Sequence, residues 1–263
     1  MSLEGRTEAV AVDIAGDTAV VRFMPAGDGT ISNRGAALLG DALARLLADR
    51  AVRAVVITGA ADGIFIRHAN LGQIVRAARA LEQGADRNAF LDSPFSRLGK
   101  LLDAAEKPVI AAINGTCMGG GLEIALACTM RIAQRGVTAI GLPETRLGIP
   151  PGAGGPQRLA RLIGSHRARL FVLEGRVIDA DEALNLGIVD ALADDTVAEA
   201  LRRAGPLNRA SAPVVAEIMR QTRPDDGDAL ESNLRGFADC LQLEGAGDTI
   251  ERIDQSRRAI EFL

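Results

Sequence analysis

The 263-residue chain contains no tryptophan, no tyrosine and only three cysteines. Without Trp and Tyr, it lacks the usual aromatic platforms on which proteins stack nucleic-acid bases. Its formal net charge is −4, whereas nucleic-acid-binding domains usually carry a basic excess on one face. The cysteines, Cys117, Cys128 and Cys240, are too widely spaced for a zinc motif or a disulfide framework. These absences argue against a nucleic-acid partner and a metal site, and they favour a reducing compartment.

Long apolar runs are also missing. No stretch approaches the ~20 apolar residues that a membrane-spanning helix needs. Residues 1–5 include an acidic residue ahead of any apolar stretch, which is unlike a secretory signal. Hydrophobic residues nevertheless make up 48% of the chain and charged residues 24%, which is enough to bury a core. We therefore expect a folded cytoplasmic protein with no membrane partner.

Up to about Asp190, short β-branched runs alternate with amphipathic helical stretches. Strands are predicted at 19–23, 52–58, 64–66 and 109–113, and helices at 34–50 and 121–133. This alternation predicts a layered α/β core. Beyond about Ala193 the strand signal fades, and helices are predicted at 196–204, 212–220, 228–243 and 249–260. We expect a core domain over residues 1–195 and a helical C-terminal region over residues 196–263.

The most informative segment runs from Lys107 to Ala125, where a buried strand precedes three glycines and a helix start. Glycine lets the backbone approach a ligand closely, and the first N–H groups of a helix are unpaired and partly positive. Such a segment can hold an anion, including the oxyanion of a thioester enolate. Glu123 lies in the first helical turn and can point its carboxylate at the same place. The simpler alternative is that the glycines permit tight packing and Glu123 complements the helix dipole.

A second carboxylate, Glu144, lies between Pro143 and a Pro-Pro-Gly turn that continues into further glycines. Its simpler interpretation is a surface residue paired with Arg146, or a helix start. A rigid turn followed by a glycine loop is more typical of a functional site. Two carboxylates can divide the work of general base and general acid between them.

From Lys107 to Val189 the sequence resembles the enoyl-CoA hydratase/isomerase (crotonase) family. The matching motifs are the strand ending in Asn114-Gly115, the Gly-Gly-Gly-Leu-Glu helix start at 119–123, the Pro-Glu-Thr-Arg-Leu-Gly-Ile-Pro-Pro-Gly-Ala-Gly-Gly run at 143–155, and Gly187-Ile188-Val189-Asp190. A weaker similarity extends over residues 20–70. The resemblance implies an α/β, crotonase-like spiral of ββα units with a helical C-terminal region. It also implies a homotrimer or a dimer of trimers.

The resemblance assigns roles to individual residues. Glu123 and Glu144 fall on the two glutamates that hydratases of the family use together. Ala69 and Gly120 fall on the residues whose N–H groups form the oxyanion hole, and Gly152 falls where an N–H helps to place the reacting water. The implied substrate-binding residues are His68, Ala69, Gly119, Gly120 and Pro143. His68 stands where the family has a glycine, so it can narrow the pocket.

The implied function is that of an enoyl-CoA hydratase-like lyase of fatty acid metabolism. Such an enzyme adds water across the 2,3 double bond of an enoyl-CoA thioester through an oxyanion-stabilised enolate. Coenzyme A is then part of the substrate, and neither a cofactor nor a metal is expected. Alternatives are an isomerase working with Glu144 alone, another crotonase-type lyase or hydrolase, or a non-catalytic family member.

The family's phosphate-binding lysines have no counterpart here, since Lys100 and Lys107 are the only lysines. Arginines could replace them at the coenzyme phosphates. The candidates are Arg22, Arg34 and Arg67.

Overall fold

The computed structural model describes residues 7–223 and 227–256, and its core contains two β-sheets. The larger sheet is built from β1 (Ala9–Ala15), β2 (Thr18–Met24), β3 (Ala54–Gly59), β5 (Val109–Ile113), β7 (Met130–Gln134) and β10 (Ala191–Ala193). These strands lie in the order β1-β2-β3-β5-β7-β10. Only β1 and β2 pair antiparallel, and the other neighbours in this sheet are parallel.

The smaller sheet contains β4 (Gly63–Ile66), β6 (Gly115–Met118), β8 (Ile140–Gly141) and β9 (Val177–Ile178), in that order. Along the chain, β3 is followed by β4, β5 by β6 and β7 by β8. Each of these pairs places one strand in each sheet before the chain enters a helical segment. The predicted α/β spiral of ββα units is therefore confirmed.

Helices cover the sheets and form the C-terminal region. The core helices are α1 (Asn33–Ala48), α2 (Leu71–Glu82), α3 (Pro94–Asp103), α4 (Gly120–Ala127), α5 (Gly155–Ile163), α6 (Ser165–Leu173) and α7 (Ala180–Leu186). The C-terminal helices are α8 (Thr196–Arg209), α9 (Ala212–Gln221), α10 (Gly227–Leu241) and α11 (Ala246–Gln255). Two short 3-10 turns span Arg87–Asp92 and Glu144–Leu147. In the described part of the chain, no helix has the length and apolar character needed to cross a membrane.

Burial explains why the central elements read as continuous apolar runs. Every residue of β3 and β5 is buried, as expected for parallel strands covered on both faces. Every residue of α4 is buried as well, so this helix is apolar nearly all round. Because Glu123 lies on α4, its carboxylate is carried into the interior rather than onto the surface.

The predicted helix at 121–133 was too long. Helix α4 ends at Ala127, Cys128 has extended backbone angles, and Met130–Gln134 forms β7 alongside β5. A short apolar run fits a buried strand as well as a buried helix, and pairing with β5 decides between them. Strands β1, β6, β8, β9 and β10 were not predicted, and α8 continues through Pro206 beyond its predicted end.

The C-terminal helices pack in two places. Ala200 and Ala204 of α8 lie against the larger sheet, whereas α10 and α11 pack against α2. The domain boundary at residue 195 stays a prediction. Residues 257–260 of the predicted helix 249–260 lie outside the described residues.

Candidate active site

The residues singled out in the sequence come together in one cleft. Its empty space is about 930 Å³, part of which is open to solvent. The walls are supplied by the chain after β4, the start of α4, the 3-10 turn at 144–147 and the loop at 150–154. The eight predicted residues that line the cleft are His68, Ala69, Gly119, Gly120, Glu123, Pro143, Glu144 and Gly152.

The cleft is lined by Ala69 and Gly120, whose backbone N–H groups the resemblance assigns to the oxyanion hole. Beside Ala69, the Ile31 N–H donates to the His68 carbonyl at 3.0 Å, and the Asn70 N–H donates to the Ile31 carbonyl at 2.9 Å. Gly120 opens α4, so its N–H has no acceptor within the helix. Within the described residues neither N–H has an acceptor. A Cβ placed on Gly120 would lie 3.3 Å from the Ala69 Cβ, so the two donors border the same small space.

Glu123 is 4% exposed, and its Oε1 is held by backbone donors. The N–H groups of Ala153 and Gly155 both donate to this oxygen at 2.8 Å. A Cβ on Gly155 would lie 2.9 Å from the same oxygen, so the close approach requires glycine. Burial raises the pKa of Glu123, while the two N–H donors, then the charge of Arg158 and lastly the Gly152 N–H, oppose the rise.

Glu144 is 9% exposed, so its interpretation as a surface residue was wrong. Its Oε2 is buried and has no hydrogen-bond partner among the described residues. Burial first, and the charge of Glu123 second, raise the pKa of Glu144 well above its ordinary value. Gly119, with φ of +49°, leaves room for this side chain. A Cβ there would lie 3.0 Å from the Glu144 Oε1 and 3.4 Å from the His68 Cβ.

Apolar side chains form most of the rest of the cleft, and sequence reasoning missed them. They include Ile74, Ala77, Phe90, Phe95, Leu234 and Phe237. Phe90 and Phe237 pack edge to face, with ring centroids 5.6 Å apart and an interplanar angle of 70°. Leu234 and Phe237 lie on α10, so the C-terminal region contributes to the cleft. Apolar spacing in a helix identifies a packed face but does not say whether that face meets a core or a ligand.

Comparison with known proteins identifies the family of the chain. Residues 24–246 match the family model described as enoyl-CoA hydratase/isomerase. The chain belongs to this family. Its predicted resemblance is thereby confirmed, and it is an enzyme of the crotonase superfamily.

Relatives of this family include the short-chain-enoyl-CoA hydratase of Clostridium acetobutylicum, 32% identical over 226 residues that span 81% of this chain and 82% of that protein. The crotonyl-CoA hydratase of Syntrophomonas wolfei subsp. wolfei is 41% identical over 152 residues, which span 57% of this chain and 55% of that protein. Among solved structures, carnitinyl-CoA hydratase from Mycobacterium avium superposes with a TM-score of 0.79 at 27% identity. That match covers 97% of this chain and 98% of the other.

The three arginines predicted to replace the family's lysines lie outside the residues that line the cleft. Arg22 pairs with Asp13 at 3.2 Å across β1 and β2. Arg34 is exposed in the first turn of α1, next to Asn33, which lines the cleft. Arg67 precedes His68, and its Nε is buried without a partner among the described residues.

Over residues 7–223 and 227–256, no group of three or more His, Cys, Asp or Glu side chains could hold a metal ion. His68 lines the cleft, and its Nδ1 lies 2.8 Å from the Ala69 carbonyl oxygen. The imidazole therefore borders the same stretch of backbone that presents the Ala69 N–H.

Proposed function

We propose that this protein is an enoyl-CoA hydratase, a hydro-lyase that adds water across the 2,3 double bond of an enoyl-CoA thioester. One observation carries the proposal. Two buried carboxylates and two N–H groups without acceptors among the described residues border the same apolar cleft. The relatives named short-chain-enoyl-CoA hydratase and crotonyl-CoA hydratase support the same reaction.

The two N–H groups would stabilise the charge that develops during addition. When water attacks C3, electrons shift through C2 to the thioester carbonyl oxygen, which becomes an oxyanion. Ala69 and Gly120 can both donate to that oxygen. Each fixed donor of this kind contributes on the order of 3 kcal/mol to transition-state stabilisation.

The carboxylates would divide the proton transfers. N–H donors favour the charged form of Glu123, so it acts as the base that takes a proton from the water. Glu144 has one buried oxygen without a hydrogen-bond partner among the described residues, and burial beside Glu123 raises its pKa well above the ordinary value, so it would act as the acid that gives a proton to C2. The added oxygen stays on C3, and the proton taken by Glu123 balances the one lost by Glu144. The Gly152 N–H would help to place the water.

Substrate recognition follows from the remaining walls of the cleft. The aromatic and aliphatic side chains suit an acyl chain, while His68, Gly119 and Pro143 border the thioester. Arg34 and Arg67 lie beside cleft residues and are the better-placed candidates for the coenzyme phosphates. The proposed mechanism uses only protein groups and needs neither a cofactor nor a metal. The cytoplasmic location stays a prediction.

The test is to incubate the protein with trans-2-enoyl-CoA thioesters of increasing chain length and to follow the mass of each acyl-CoA. The hydratase proposal expects the mass to increase by one water, and the increase to be lost in Glu144→Gln. A parent protein that moves the double bond of 3-enoyl-CoA to the 2 position but adds no water would instead be an isomerase. Failure to bind or convert any acyl-CoA would indicate a non-catalytic family member.

We also propose the homotrimer or dimer of trimers that the resemblance implies. Helix α9 buries none of its residues, and Val214 and Ile218, one turn apart, are 53% and 54% exposed. Apolar side chains at i and i+4 make a continuous face that a neighbouring subunit can cover. Light scattering at micromolar concentration tests this, and a monomeric mass would contradict it.

A further inference from the structure

The loop at residues 151–155, here called the base loop, provides the N–H groups that hold Glu123. It is itself held by two side chains from two different helices, Arg158 on α5 and Asn233 on α10. Neither side chain is within hydrogen-bonding distance of the Glu123 carboxylate. Both act on the backbone that contacts Glu123.

Arg158 fixes one carbonyl of the base loop. Its side chain is 4% exposed, and its Nη1 donates to the Ala153 carbonyl at 2.5 Å. Its Nε and Nη2 donate to the two carboxylate oxygens of Asp103 on α3, at 3.0 and 2.6 Å. This paired geometry fixes the plane of the guanidinium, so the direction of the third hydrogen bond is fixed as well.

Asn233 fixes two further groups of the base loop. Its Oδ1 accepts from the Gly154 N–H at 2.9 Å, and its Nδ2 donates to the Pro151 carbonyl at 2.9 Å. A single amide thus bridges the first and fourth residues of the loop. Because Asn233 lies on α10, the C-terminal region is coupled to the backbone that contacts Glu123.

We infer that Arg158 and Asn233 are positioning residues that hold the Ala153 and Gly155 N–H groups against the Glu123 carboxylate. The inference deepens the proposed function, because it rests on Glu123 acting as the base. Among the N–H groups of the loop, those of Ala153 and Gly155 donate to Glu123, and that of Gly154 donates to Asn233. A loosened loop would therefore weaken the contacts to Glu123 first.

The expected consequence has a definite sign. Hydrogen bonds from N–H donors favour the ionised carboxylate, so losing them raises the pKa of Glu123 further. A base must be ionised to accept a proton, so the acid limb of the pH–rate profile moves to higher pH. Substrate binding relies on other walls of the cleft, so kcat should change more than KM.

The experiment compares two variants with matched controls. Arg158→Lys keeps the charge but cannot contact Asp103 in a paired manner and also reach Ala153. Asn233→Ala removes both hydrogen bonds of the amide. The expected result for each is a fall in kcat of about ten- to a hundredfold near neutral pH, with an acid limb at higher pH and partial recovery as the pH rises.

The controls separate positioning from general loss of stability. Arg131→Lys changes an equally buried arginine, also 4% exposed, which pairs with Asp190 outside the cleft. Asn208→Ala changes an amide that bonds Asp17 and Thr18. Both controls should lower the Tm while leaving the acid limb where the parent has it.

A second readout does not need turnover. The Glu123 carboxyl carbon is followed by carbon-13 NMR through a pH titration, with Glu123→Gln identifying its signal. The midpoint should move to higher pH in both Arg158→Lys and Asn233→Ala. An unmoved midpoint in both folded variants would overturn the inference even if the parent hydrates enoyl-CoA. If the midpoint moves in both variants but the parent adds no water to enoyl-CoA, the proposed function is overturned and the positioning role stands.

Discussion

Each side of the cleft buries one glutamate, but the hydrogen-bond partners of the two carboxylates differ. Glu123, 4% exposed, is held by two N–H donors of the base loop, whereas Glu144, 9% exposed, has an oxygen with no partner among the described residues. Burial is nearly equal, so it cannot divide the pair into a base and an acid. The proposed division rests instead on the placement of backbone N–H groups. In that proposal the same residue type supports two roles because of its surroundings.

Glu144→Gln tests the side with the unpartnered carboxylate oxygen and should have the largest effect. The amide cannot deliver or exchange a proton at C2, so hydration, double-bond migration and deuterium uptake at C2 from heavy water should fall together. We expect each to fall by about 10³-fold or more, towards the upper range for general acid–base catalysis. Mass spectrometry of the acyl-CoA measures all three. Hydration at the parent rate in this variant would remove Glu144 from the mechanism.

Gly120→Pro tests the Ala69 and Gly120 N–H donors, which serve both sides of the cleft. Proline removes the Gly120 N–H, so turnover should fall by about a hundred- to a thousandfold. A Cβ at this position would lie 2.8 Å from the Phe95 Cζ, which introduces a steric effect as well. Gly120→Ala is the control, because it adds the same Cβ and keeps the N–H. Equal losses in the two variants would assign the effect to Phe95 rather than to the oxyanion hole.

Glu123→Gln tests the donor-rich side, and its effect should be selective. The amide oxygen can still accept from the Ala153 and Gly155 N–H groups, but it cannot take a proton from water. Hydration should fall by about a hundredfold, while deuterium exchange at C2, which needs only Glu144, should survive better. The ratio of the two rates is the measurement. If both rates fall equally, water activation and C2 exchange are not divided between the two glutamates.

How much of this could be read from the sequence differs between the two sides. The Gly-rich helix start placed Glu123 in the first turn of α4, and its local signal was strong because a turn, glycines and a carboxylate are adjacent in the chain. The burial of Glu144 depends on chain segments far from it in sequence, including Gly119. Local spacing could suggest a functional turn there but could not exclude a surface ion pair.

The fold was predictable to a similar degree. Alternating strands and helices identified the α/β class, but the boundary between α4 and β7 depended on pairing with β5. The base loop's attachment to Asn233 had no local signal, because the two are joined only by the packing of α10. The same holds for Phe237, whose apolar character fits a core contact as well as a ligand contact.

Phe237→Ala tests what α10 contributes to the Glu123 side. The Phe237 ring packs so closely that a Cβ on Gly152 would lie 2.7 Å from it, and it also meets the Phe90 ring. Removing the ring opens the cleft, so kcat/KM for longer enoyl chains should rise relative to short ones by about tenfold. Ile250→Ala is the control, because Ile250 is buried in the same apolar cluster but does not line the cleft. An unchanged chain-length profile in Phe237→Ala would place the acyl chain elsewhere.

The smallest expected effect is on stability, and it compares the two glutamates directly. Burial raises the pKa of both carboxyls in the folded protein. Each neutral carboxyl therefore contributes stability that is fully present below the pKa of the unfolded chain. That stability is lost as the pH rises through the folded pKa.

A glutamine does not titrate, so its variant should escape this loss. At about pH 4, below the ordinary pKa of a glutamate, neither variant should gain over the parent. At about pH 8, Glu144→Gln should have the higher Tm, by about 2–4 °C for each kcal/mol recovered. Glu123→Gln should gain less, because the Ala153 and Gly155 N–H groups already stabilise the charged form of Glu123 in the parent. Thermal unfolding of the three proteins across this pH range measures the difference. Equal gains in Tm for the two variants would mean that the N–H donors do not make the charged form of Glu123 more stable than that of Glu144.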